Sequence, residues 1–73
     1  MITIAEFVKS KRKEVGFTQE EFALKAGVAL TVIRKIEQGK GNLNFEKVNH
    51  VLSMFGHELA PVESRLLDKN TEE

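Results

Sequence analysis

The sequence predicts an all-α domain of four to five helices that ends in a short C-terminal strand. Three observations carry this reading. Apolar residues recur at helical spacing in four successive stretches, capping residues (Thr3, Thr18 and Asn44) open three of them, and glycines (Gly16, Gly27, Gly39 and Gly56) follow where helices must end. Seventy-three residues make one small domain, which buries at best about 60% of its unfolded surface, so association would reinforce a marginal core.

Thr3 and Glu6 form a capping box, in which hydroxyl and carboxylate each accept the other residue's backbone N–H. The first helix follows, with Ile4, Phe7, Val8 and Val15 as an interrupted apolar stripe up to Gly16. Its basic run of Lys9, Lys11, Arg12 and Lys13 reads first as a solvated face and second as a phosphate contact. Thr18 and Glu21 repeat the capping box, and Phe22, Ala23 and Ala26 share one face of the short second helix. Gly27 then allows the left-handed turn out of it. The third helix has Val28, Ile33 and Ile36 as its stripe, which leaves Ala29, Leu30, Thr31, Arg34, Lys35 and Gln38 on its other faces. So tight a turn makes the two helices cross steeply, which requires a small residue at the crossing, Ala23, and apolar neighbours to fill the gap.

The stretch from Gln38 to Asn42 is rich in turn formers. Asn44 then caps a helix with Phe45, Val48, Val51, Leu52 and Phe55 at helical spacing up to Gly56. His50 on this helix has no second ligand three or four residues away and reads as a surface histidine, so no metal or other cofactor is expected. From His57 to Val62 the pattern becomes a short extended run, with Leu59 as its main apolar residue and Pro61 excluding a central strand. Residues 1–62 thus form the domain. The stretch 63–73, polar apart from Leu66 and Leu67, reads as a mobile tail or one ordered only by a partner.

The chain carries 11 basic and 11 acidic residues, but unevenly. Residues 1–47 hold 9 Lys/Arg against 6 Asp/Glu, a balance of +3, and residues 48–73 hold 2 against 5, a balance of −3. Phosphate binding depends on charge at the contact face, so the basic half suits a polyanion. Absence of cysteine excludes disulfides and thiolate metal sites and agrees with a reducing compartment, and no apolar run approaches a membrane span; a cytoplasmic protein is expected. There is no nucleophile motif beside a histidine and no phosphate-cradling glycine loop, so no enzyme is expected.

The order Thr18, Gln19, Phe22, Ala23, Gly27, Val28, Ile33, Ile36, Glu37 and Gly39 resembles the Cro/C1-type (XRE) helix-turn-helix repressors. The resemblance implies a lambda-repressor-like domain that binds double-stranded DNA. It also implies that Arg12 and Glu37 clamp two helices together. The third helix would enter the major groove N-terminus first, with Ala29, Leu30, Thr31 and Arg34 as base-reading candidates. Arg34 suits guanine, and Leu30 and the Thr31 methyl suit a thymine methyl. Gln19, Lys35, Gln38 and Lys40 are candidates for phosphate contact. Ala29 departs from the serine common in the family and lacks its capping hydroxyl.

Past Gly56, the run His57-Glu58-Leu59-Ala60-Pro61-Val62 looks like that of the HipB-like antitoxins. This resemblance implies autorepression, a HipA-type kinase toxin as partner, and dimerisation through the C-terminal strand. The strand has nothing in its own chain to pair with, so an antiparallel homodimer on a palindromic operator is expected, with Leu59, Pro61 and Val62 at the junction. A phage-type or restriction-modification control repressor is the alternative within the family. A protein-interaction module that neutralises a partner, with weak DNA binding, is the alternative outside it.

Overall fold

A computed structural model describes residues 2–66 of the chain. Four helices follow in order: α1 (Ile4–Glu14), α2 (Gln19–Ala26), α3 (Leu30–Gln38) and α4 (Phe45–Ser53), with a 3-10 turn at Ser64–Leu66. Both threonine capping boxes are complete. Thr3 Oγ1 accepts the Glu6 N–H at 3.1 Å and Thr18 Oγ1 accepts that of Glu21 at 3.0 Å, while both glutamates reach back to the threonine N–H. Asn44 Oδ1 caps α4 by accepting the Lys47 N–H at 3.1 Å. At three helix starts, orphan N–H groups are thereby satisfied by side chains chosen in the sequence.

Gly27 sits at φ 72°, ψ 33°, a left-handed conformation that strains any residue with a Cβ. The turn lets the Val28 N–H return to the Ala23 carbonyl at 3.0 Å and sends α3 back across α2. α3 packs on both α1 and α2. The core is Val8 from α1, Phe22 and Ala23 from α2, Ile33 and Ile36 from α3, and Val48, Val51 and Leu52 from α4. Ala23 is buried at the crossing, where a larger side chain would force the helices apart. Phe55 stacks at 5.5 Å on Phe22 and edge-on at 6.2 Å to Phe7, so the end of α4 is sealed by aromatic contacts with α1 and α2.

The structure corrects the apolar stripes in three places: Ile4, in the first turn of α1, is exposed, and so are Val15 and Phe45. Val15 is exposed, because the chain leaves α1 at Glu14 and turns through Gly16 before it can face the core. Phe45, the first residue of α4, is 76% exposed, because the core side of that helix begins one turn later, at Val48. His50 is also more than a surface histidine. Its Nε2–H donates to the Ala26 carbonyl at 2.6 Å and so ties α4 to the last carbonyls of α2.

The expected C-terminal strand is absent among the described residues. His57–Glu63 runs without helix, turn or bend, and forms no ladder. A single copy offers no second strand, and an unpaired extended segment is not a sheet. Leu59 is half-buried against the core, its N–H held by Asn49 Oδ1 at 2.6 Å, while Pro61 and Val62 are exposed. Of the expected tail, Ser64–Leu66 forms one exposed 3-10 turn; Leu67 and the remainder to Glu73 lie outside the described residues.

Candidate nucleic-acid interface

The orientation of α3 is fixed from behind. Arg12 projects from α1 toward the C-terminal end of α3, where its Nε and Nη2 donate to Glu37 Oε2 and Oε1 at 2.7 and 3.0 Å. Its Nη1 donates to the Phe17 carbonyl at 2.8 Å. Gln19 Nε2, from the first turn of α2, donates to Glu37 Oε1 at 3.0 Å. One carboxylate therefore joins α1, α2 and α3. The Arg12 and Glu37 side chains are only 11% and 4% exposed, a depth at which charges must be paired. Hydrogen bonding to Glu37 raises the Arg12 pKa against the opposing effect of burial. Burial alone would push the Glu37 carboxyl up. Hydrogen bonds from Arg12 and Gln19 and the charges of Arg12 and Lys9 outweigh it and hold that carboxyl below its ordinary range.

With its rear face locked, α3 presents the opposite face outward. Thr31, Arg34, Lys35 and Gln38 lie on it; the first three are exposed and Gln38 is exposed as well. At about 100° per residue they fall on one stripe, opposite the buried Ile33 and Ile36. Ala29 precedes them as the N-cap residue, exposed and without a side-chain cap. Leu30 stands apart: it is half-buried and packs on the core, which leaves only part of its side chain for a base edge. Gln19 also differs from a free phosphate-binding amide, since one of its N–H groups is already given to Glu37. Lys40 is exposed in the loop that leaves α3.

A cleft of about 410 Å³ opens between α3 and α4 beside this stripe. Thr31 and Lys35 line one wall, and Asn42, Asn44 and Lys47 the other. Lys47, which no motif in the sequence marks, thereby joins the basic residues around α3. The available signal was its place one turn into the helix capped by Asn44. On α1, Lys11 pairs with Glu14 at 3.6 Å and lies over the Phe7 ring at 5.8 Å, so part of the basic run is committed to its own surface. Among the described residues no group of His, Asp or Glu could hold a metal ion.

A short helix, a glycine turn and a second helix locked by a buried ion pair, with an uncovered polar and basic outer stripe, define a helix-turn-helix domain. The helix-turn-helix family model matches residues 8–56, from α1 through the end of α4. The chain belongs to that family, in its Cro/C1 (XRE) type, and is a DNA-binding transcription regulator of that type. Comparisons with curated proteins and with solved structures find no match. Among the described residues no helix is long and apolar enough to cross a membrane.

Proposed function

We propose that the chain is a sequence-specific repressor that binds a palindromic operator as a homodimer and represses its own operon as the antitoxin of a HipA/HipB-like pair. The observation that carries the DNA-binding part is the outer stripe of α3, exposed in front of the Arg12–Glu37–Gln19 network. In that pose Arg34 is the donor suited to guanine O6 and N7, Thr31 and Ala29 offer methyl contacts, and Lys35, Gln38, Lys40 and Lys47 suit phosphates. The action is binding, without catalysis. Support for the antitoxin branch comes from the segment after Gly56, whose sequence looks like that of the HipB-like antitoxins.

One observation favours a second reading, a module that mainly neutralises a partner protein: zero net charge together with the bare Phe45 and Val62 side chains. An electrophoretic mobility assay on the DNA upstream of the protein's own reading frame separates the two. A shift that survives excess unrelated DNA supports the repressor. No shift, with tight binding to a kinase encoded by the adjacent frame, supports the neutralising module.

A further inference from the structure

We infer that the leading turn of α3 reads the C5 methyl group of a pyrimidine without distinguishing thymine from 5-methylcytosine, so that methylating one cytosine converts a weak site into a strong one. The inference rests on the repressor reading above and adds to it the chemical class of base that is read. In the major groove thymine presents its methyl group and the O4 acceptor, whereas 5-methylcytosine presents the same methyl group and the N4 amino donor. Telling the two apart takes a side chain that can only donate or only accept. The leading turn has neither. Ala29 is exposed and offers a bare methyl group, with no side-chain cap bond. Leu30 is half-buried and packed on the core, which holds the outward part of its side chain in place as an apolar wall. No acidic residue lies in this turn, so no carboxylate is there to accept from N4.

Thr31 is the deciding residue. It is exposed, and among the described residues its hydroxyl has no hydrogen-bond partner. A hydroxyl both donates and accepts and rotates to suit, so it serves O4 and the N4 amino group alike. Its methyl group adds to the apolar face formed by Ala29 and Leu30. The side chains in α3 that can only donate, Arg34 and Lys35, stand about one turn further along the helix. Arg34 shares the outer face with Thr31 at a rise of about 4.5 Å, close to the roughly 3.4 Å between base pairs, and so meets the adjacent pair. Among the described residues its guanidinium is in no ion pair, while Glu37, three residues on, is held from behind by Arg12 and Gln19. The target is thus a two-pair step, in which one pair carries a C5 methyl group and its neighbour a guanine.

Four versions of one base pair separate the methyl group from the rest of the base. An operator is first selected from random DNA with the full chain. Each pyrimidine of one half-site is then made in turn thymine, deoxyuridine, 5-methylcytosine or cytosine, each with its Watson–Crick partner, and affinities are read by mobility shift. At one position thymine and 5-methylcytosine are expected to bind within about twofold of each other, and deoxyuridine and cytosine each about fourfold more weakly, as burial of one methyl group requires. Thr31→Ser keeps the hydroxyl and removes the methyl group, so it should shrink the gain from methylation in both backgrounds. Arg34→Ala should keep that gain and relax preference at the neighbouring pair. A gap of more than about tenfold between thymine and 5-methylcytosine at that position overturns the inference; a preference for thymine would mean that a fixed donor, such as the uncapped N–H of Leu30 or Thr31, reads O4. No gain from the methyl group in either background at any position also overturns it, and leaves the repressor reading standing on the selected operator. Failure to select any operator overturns both.

Discussion

Arg12 in α1 and Glu37 in α3 meet edge to edge, with Nε 2.7 Å from Oε2 and Nη2 3.0 Å from Oε1, across 25 residues of sequence that contain the whole turn between α2 and α3. Such a pair adds little when intact, because desolvation offsets much of its attraction. Removing one partner strands a buried charge. Arg12→Ala is therefore expected to destabilise the domain by about 3–5 kcal/mol, most of what a chain this small has. Urea unfolding checks this, and a loss below about 1 kcal/mol would mean that Glu37 finds water or another partner.

The same pair sets an acid limit. The Glu37 carboxyl titrates lower in the fold than in the unfolded chain, so its contribution is fully present above the ordinary value of 4.5 and is lost as pH falls through the lower folded value. Melting temperature should fall more steeply below that pH in the wild type than in Glu37→Gln, which has no proton to gain. Parallel curves for the two proteins would assign acid unfolding to other carboxylates.

Ala29 leaves the first N–H groups of α3 without a side-chain cap. Ala29→Ser should raise stability by about 1 kcal/mol. Because the new hydroxyl stands at the groove end of the helix, it should also alter base preference. Thermal melts and a selection of preferred sites measure the two effects separately, and unchanged stability would mean that the introduced hydroxyl does not reach the cap.

Arg34→Ala should weaken specific binding by about 1–3 kcal/mol and relax preference at one base pair in each half-site. Lys35→Ala should weaken all sequences alike and reduce the salt dependence of binding. An unchanged preferred sequence in Arg34→Ala would remove Arg34 from the base-reading residues.

Leu59→Asp puts a charge where the half-buried leucine packs on the core. A soluble, less stable monomer is expected. Its operator affinity should fall further than that of any single phosphate-contact variant, since half-sites about one DNA turn apart need two linked domains. Sedimentation equilibrium and mobility shifts on the same preparations check it; a mutant that dimerises as tightly as wild type would contradict it.

The helices were legible wherever a local signal fixed them. Thr3, Thr18 and Asn44 mark starts that the structure keeps, and Gly27 marks the turn, because capping and left-handed backbone are properties of a few adjacent residues. What periodicity could not reveal was which way an apolar residue at a helix end would face. Phe45 and Val15 fit their stripes in sequence but lie outside the core, since tertiary packing decides where a helix first touches its neighbours. The contacts of the Gln19 amide with Glu37 and of the His50 ring with the Ala26 carbonyl were not legible for a related reason: the partners are 18 and 24 residues away. In the candidate site, the outer stripe of α3 was readable from the spacing of Ile33 and Ile36. The half-burial of Leu30 and the place of Lys47 on the cleft needed the assembled helices.

Glu37, shared by Arg12 and Gln19, leaves α3 little freedom to pivot on its own domain. On the proposed palindromic operator, misfit between this reader and a sequence would then be absorbed by bending or twisting of the duplex between the half-sites. The stiffness of base pairs that no side chain touches becomes a factor in which operators are chosen, and flexible central steps should be favoured over stiff ones of the same length.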